Sequence, residues 1–186
     1  GKAWRREFSD AQNIKIINGD ITEQNCDAIV SPANSFGFMD GGLDLYLSEK
    51  LGWDLQKKLQ EKIKQLTEGE LLIGKALILE TGNERIPFLI SAPTMRVPMN
   101  FNIATSINAY LAMKAILISS RSHSEINSVA IPGLCTGVGR MPVEIAAHQM
   151  FMAYSEIELD NRLDFNDFGE AQKHFCDLNK NGLIYE

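Results

Sequence analysis

Short apolar runs alternate with longer amphipathic stretches along this chain. Ile14–Ile17 and Asp27–Ala33 predict short strands, and the continuous run Ala28, Ile29, Val30 is that of a strand covered on both faces. Leu43–Leu51 and Trp53–Leu66 predict helices. In the second, Leu55, Leu59, Ile63 and Leu66 recur at helical spacing, with Lys57, Lys58, Glu61, Lys62 and Lys64 on the opposite face. Lys75–Glu80 and Pro87–Ser91 predict two more strands joined by a turn at Thr81-Gly82-Asn83. A helix over Ala104–Ser119 is expected to bury a stripe of Ile107, Leu111, Ala115 and Ile118. Ser128–Ile131 reads as another buried strand. Pro142 then opens a helix over Val143–Tyr154, and a last short helix is expected near Phe168–Leu178.

Strands alternating with helices predict an α/β fold of three layers, α/β/α, with a central mixed, mostly parallel sheet. At 186 residues the chain fits one domain, its core over about 12–155 and a polar extension over about 156–186. In such sheets ligands bind beyond the carboxyl ends of the strands. That rule singles out the loops after Ala33 and after Ile131. The first runs from Asn34 to Asp44 and carries Phe36 and Phe38; its glycines Gly37, Gly41 and Gly42 allow sharp turns and close approach to a ligand. The helix behind it points its positive end into the same space. The plainer reading is a flexible loop with a helix-capping aspartate. The second loop, Pro132 to Pro142, carries Gly133, Gly137 and Gly139 around Thr136, a composition suited to a nest of backbone N–H groups for an anion such as a pyrophosphate. A tight connection is the alternative there. Gly19-Asp20, directly after the first expected strand, frees an aspartate to face a pocket or to cap a turn.

Charge narrows the partners. A net charge of −6 argues against duplex nucleic acid or an anionic membrane, which need a basic patch, but leaves room for a small phosphorylated ligand held by amides. Cys26, Cys135 and Cys176 are widely separated, and His123, His148 and His174 have no metal-ligand spacing, so neither a metal nor a cofactor is implied. Reduced thiols of an intracellular, cytoplasmic protein are expected. The charged stretch Gly1–Asp10 does not read as a signal peptide. The longest uncharged run, Val97–Met113, holds Pro98, Asn100, Asn102 and Asn108 and does not read as a membrane span. A monomer is expected.

Four segments in order resemble the macrodomain family. Gly19-Asp20-Ile21-Thr22 is similar to its GDIT, and Ser31-Pro32-Ala33-Asn34 to its NAAN-type strand end. Gly41-Gly42-Leu43-Asp44 is similar to its GGVD, and Cys135-Thr136-Gly137-Val138 to the STGV or STGI of its phosphate loop. Asp20 to Asn34 spans 14 positions and Asn34 to Asp44 spans 10, as in the family pattern. The resemblance covers about residues 12–155 and implies a cleft for ADP-ribose. By position, Asp20 would bond the adenine amino group with a backbone contact from Ile21. Thr136, Gly137 and Val138 would hold the diphosphate through backbone N–H groups, flanked by Gly133, Cys135, Gly139 and Arg140. Asn34 would contact the distal ribose, Gly41 and Gly42 would lie against the ligand, and Asp44 would orient or activate a water.

Three departures stand beside the match. Ser31 replaces the first asparagine of the NAAN pattern. Gly139 and Arg140 follow where relatives place an aromatic ring against the distal ribose; Phe36 or Phe38 is the candidate replacement, with core packing the alternative. Ser155–Asn166 is short and polar and supplies no adenine-stacking residue. The resemblance implies a hydrolase of ADP-ribosyl adducts: an ADP-ribosylated protein, O-acetyl-ADP-ribose or ADP-ribose-1″-phosphate. A non-catalytic reader of ADP-ribose marks is the alternative, and a scaffold with an empty cleft a third. A free carboxylate, with a pKa near ~4, is a weak base at neutral pH, so Asp44 is expected to act by holding water in line. Cys135 is the one tempting nucleophile, without an activating base in view.

Overall fold

The computed structural model describes residues 1–99 and 103–179. Its centre is β1 (Ala28–Ser31), four residues buried on both faces as the apolar run requires. β1 pairs in parallel with β3 (Phe88–Ser91) on one side and with β4 (Val129–Ala130) on the other. β2 (Leu77–Glu80) lies antiparallel to β3, giving the order β2-β3-β1-β4. Alternate residues then serve opposite faces. Ala28, Val30, Phe88 and Ile90 pack toward α4 (Asn108–Arg121) and α5 (Val143–Glu158). Ile29, Leu79 and Leu89 pack toward α2 (Gly42–Leu51) and α3 (Asp54–Lys64). A mixed sheet between two helical layers is therefore the architecture.

Several elements differ from the sequence reading. Ile14–Ile17 forms no ladder: Ile14 packs at the edge of the α4/α5 cluster, Ile17 is exposed, and no described strand lies alongside to satisfy their backbone. β4 is a two-residue, half-buried edge strand rather than a buried one over Ser128–Ile131. α4 starts at Asn108, four residues later than expected; Ala115 is buried as expected, together with Ala109, Tyr110, Ala112, Met113, Ile116, Leu117 and Ser120. Ile118, placed on the buried stripe from sequence, is 53% exposed. Small residues explain the rotation: Ala109 and Ala112 of α4 and Ala146 and Ala153 of α5 are all fully buried, marking a seam where the helices approach closely. α5 also runs on to Glu158.

Two terminal helices complete the described chain. α1 (Lys2–Glu7), unforeseen in the sequence, lies on α5; Phe8 behind it meets Phe151 and Tyr154 edge-on at 5.4 and 5.5 Å. α6 (Phe168–Leu178) occupies its expected span, with the Asp167 side chain accepting from the Glu170 N–H as N-cap. No described helix is long and apolar enough to cross a membrane.

Candidate functional site

Because β1, β3 and β4 are parallel, the segments after Ser31, Ser91 and Ala130 leave the sheet at one end. Two of these are the loops singled out from sequence. The third, residues 92–107, follows an equally buried strand and was passed over, although the same strand-end rule covers it. It extends the β1–β3 pairing outward: Ala33 N–H donates to Ala92 O (3.1 Å), Thr94 N–H to Ala33 O (3.0 Å) and Ser35 N–H to Arg96 O (3.0 Å).

The loop after β1 is firmly held. Asn34 is buried, and its amide shapes its own loop: Oδ1 accepts from Phe36 N–H (3.0 Å) and Phe38 N–H (3.3 Å), while Nδ2 donates to Phe38 O (2.8 Å). Met39 is pinned at both ends, its N–H donating to Gln56 Oε1 (2.7 Å) and its carbonyl accepting from Ser48 Oγ (3.0 Å). Gly37 has φ +71°, and an added Cβ would meet Ile63 Cδ1 at 2.9 Å, so both conformation and space require glycine there. At Gly41 no side chain caps α2, which leaves its first-turn N–H groups facing outward.

Asp44 lies in that first turn and is 7% exposed. Its Oδ1 accepts a 2.6 Å hydrogen bond from Ser31 Oγ, and its other oxygen accepts none from the described residues. Burial pushes its pKa up from 3.8 to about 6, the Ser31 bond acting the other way. The weak base expected from sequence is thus a proton acceptor close to neutrality. Asp20 caps a single 3-10 turn, Ile21–Glu23: its Oδ1 accepts from the Thr22 N–H and hydroxyl, both at 2.8 Å. Oδ2 accepts from Tyr46 Oη on α2. The Tyr46 and Thr22 bonds hold this carboxyl below the usual carboxylate range. Asp20 and Asp44 are therefore anchored to one helix, through positions 46 and 44. Ser31 and Tyr46 are the members of this corner that sequence reasoning missed.

In the loop after β4, Cys135 (φ 62°) and Arg140 (φ 52°) adopt the left-handed conformation and turn the backbone outward between them. The N–H groups of Thr136, Gly137, Val138 and Gly139 have no acceptor among the described residues. Thr136 Oγ1 donates to Gly133 O (3.1 Å), and Arg140 N–H to Gly137 O (3.0 Å). Such a run of unbonded donors has the chemistry of an anion-binding nest. Burial pushes the Cys135 thiol up to about 12, so it is no nucleophile near neutral pH. A Cβ on Gly139 would lie 2.8 Å from both Cys135 O and Ile103 Cδ1, and Ile103 N–H donates to Gly139 O (3.1 Å). Ile103, from the third loop, fills the space beside position 139. Trp4 of α1 supports the loop base from beneath, 3.2 Å from where a Gly133 Cβ would stand. Phe36 lies under the Arg96 guanidinium at 5.1 Å, and Phe38 is 52% exposed.

A cavity of about 530 Å³ lies elsewhere, lined by Lys114, Ile118, Arg121, Glu156 and Leu163, and contains none of these loop residues. Its charged groups are already engaged, Lys114 with Glu156 and Arg162 with Asp160, each at 2.7 Å, and Arg121 with the Ile157 carbonyl, so the strand-end loops carry the better case for chemistry. Among the described residues no three His, Cys, Asp or Glu side chains are grouped as metal ligands.

Comparison with known proteins bears on this corner. The sequence profile of the Macro domain family matches residues 30–150. An uncharacterised protein of Aquifex aeolicus is 33% identical over 138 residues, 74% of this chain and 78% of its own length. The solved Oceanobacillus iheyensis macrodomain with ADP superposes with a TM-score of 0.65 at 24% identity, covering 77% of this chain and 75% of that one. DarTG of Thermosipho africanus, in complex with ADP-ribose, gives 0.60 at 19% identity over 78% of this chain and 42% of its own.

Proposed function

The chain belongs to the Macro domain family, and from that premise we propose that its strand-end loops bind ADP-ribose and hydrolyse an ADP-ribosyl adduct. The observation that carries the catalytic half is the buried Asp44 carboxylate, one oxygen held by Ser31 and the other without a partner among the described residues. In this reading the ligand lies across the loops. Asp20, kept ionised by Tyr46 and Thr22, accepts from the adenine amino group through the remaining lone pair of Oδ2, with the Ile21 backbone beside it. The free amides of Thr136 to Gly139 take the diphosphate, and the uncapped end of α2 at Gly41 and Gly42 adds to the same positive field. The distal ribose then lies near Asn34 and Asp44.

Water attacks the anomeric carbon of that ribose, the bond to the carrier oxygen breaks with its electron pair leaving on the carrier as a carboxylate or phosphate, and Asp44 takes the proton the water gives up. A base with a pKa close to the working pH combines a useful ionised fraction with real proton affinity. The solved relatives with ADP and with ADP-ribose support the ligand assignment. One observation favours the reader alternative: both ends of the Asn34 amide are engaged within its own loop, which leaves less of it for a ribose hydroxyl.

Two experiments test these claims separately. Calorimetry with ADP-ribose should give a saturable heat; silence at high micromolar protein removes the binding claim. Incubation of a protein ADP-ribosylated through its anomeric carbon with wild type, Asn34→Ala and Asp44→Ala should show release by wild type that is lost in Asp44→Ala. Binding without release by wild type leaves the reader.

A further inference from the structure

Ser31 and Ser91 sit side by side in the sheet. They are register partners on β1 and β3, the last residue of each strand, and both are wholly buried. Residues 29 and 89 pack into the α2/α3 cluster, so 31 and 91 face that same layer. There the two hydroxyls part ways: Ser31 donates to Asp44 at 2.6 Å, whereas Ser91 Oγ is buried with no partner among the described residues. One β1 side chain thus reaches across to the helix that carries the carboxylate.

We propose that Ser31 is a positioning residue for the hydrolysis argued above, on which this inference rests: its hydroxyl holds Asp44 Oδ1 so that the other oxygen serves the reacting water. A carboxylate on a helix can rotate about its terminal bond, and with nothing bonded its two oxygens would exchange places. A 2.6 Å hydroxyl bond from a strand buried on both faces removes that freedom. It also favours the ionised form, the form that accepts a proton. Among the described residues no charge takes over that task. β1 and β3 carry no ionisable side chain. Asp20 is engaged with Tyr46 and Thr22, and on α3 Asp54 pairs with Lys58 and Lys57 with Glu61. On α2 itself, Glu49 and Lys50 are exposed. Desolvation and the Ser31 bond are the influences that set Asp44. The serine at this point of the Ser31-Pro32-Ala33-Asn34 segment then has a chemical purpose beyond strand architecture.

The test compares Ser31→Ala, Ser31→Thr and Ser91→Ala with wild type. Two readouts are taken: the acid limb of the pH–rate profile, and the titration of the Asp44 carboxyl carbon by NMR without ligand. Ser31→Ala should move both upward by roughly one pH unit, the scale of one hydrogen bond lost from a carboxylate, and should lower the rate above that limb. Ser31→Thr, which keeps the hydroxyl and suits a strand, should restore both. Ser91→Ala, which removes a hydroxyl of the same size from the same face, should move neither. If Ser31→Ala is well folded by thermal melt and Asp44 titrates as in wild type, the proposal falls. If Ser91→Ala reproduces the Ser31→Ala shift, packing is the cause and it falls equally. If Asp44 titration shifts but wild type never releases ADP-ribose, the hydrolase reading fails, and the role of Ser31 in it, while the measured coupling of Ser31 to Asp44 stands.

Discussion

Buried without a counter-charge, Asp44 is harder to ionise in the folded protein than in water, and this sets the sign of a stability effect. Its folded pKa of about 6 lies above the ordinary 3.8, so the folded state holds the proton more tightly. The resulting stability is fully present below about pH 4 and is lost as pH rises through about 6. Two pKa units correspond to about 3 kcal/mol, an upper limit for this group. Asp44→Asn retains an acceptor for Ser31 and abolishes the ionisation. Its melting temperature should match wild type near pH 4 and exceed it at pH 8, while release of ADP-ribose is lost; equal melting at both pH values would contradict the assignment. Asp20, Asn34, Asp44 and the glycine loop were legible in the sequence because their spacing is local to loops that follow apolar runs. Ser31 and Tyr46 were not, since their contacts join residues 13 and 26 positions apart and exist only once helix and strand are packed.

At the scale of elements, helix and strand periodicity located the middle of the chain well and its margins less well. Leu55, Leu59 and Ile63 are buried as the spacing required. On α4, Ala115 is buried and Ile107 and Leu111 pack at the edge of the core, but Ile118 was misplaced because large aliphatic residues drew the stripe, whereas the packed seam runs through alanines, which a hydrophobic count undervalues. α1 was overlooked because its charged residues masked Trp4 and Phe8. Yet Trp4 spans two neighbours, its indole N–H donating to Met150 Sδ (3.3 Å) and its ring lying against Gly133. Trp4→Ala should cost about 2–3 kcal/mol, below the range for a fully buried tryptophan because part of the ring is exposed. It should also speed amide exchange over residues 133–139 and weaken ADP-ribose binding, although Trp4 itself holds no ligand atom. Exchange in that loop at the wild-type rate would show that α1 does not support it.

Across the whole molecule the first and last described helices, α1 and α6, both pack on the α4/α5 layer. α6 is tied down by His174 to Glu156 (2.9 Å), by Asn179 to Ala104 O (2.9 Å) and by the buried Leu178. Through Asn179 it reaches the segment from which Ile103 extends to Gly139, so α6 braces the wall of the glycine loop after β4. The donors that loop offers are uncharged amides, in a chain whose formal net charge is −6. An anionic ligand must therefore approach against the overall field, and added electrolyte screens that repulsion before it weakens any neutral contact. Raising ionic strength from about 20 to 150 mM should tighten ADP-ribose binding, by about twofold, whereas a lysine-lined groove would loosen its hold over the same range.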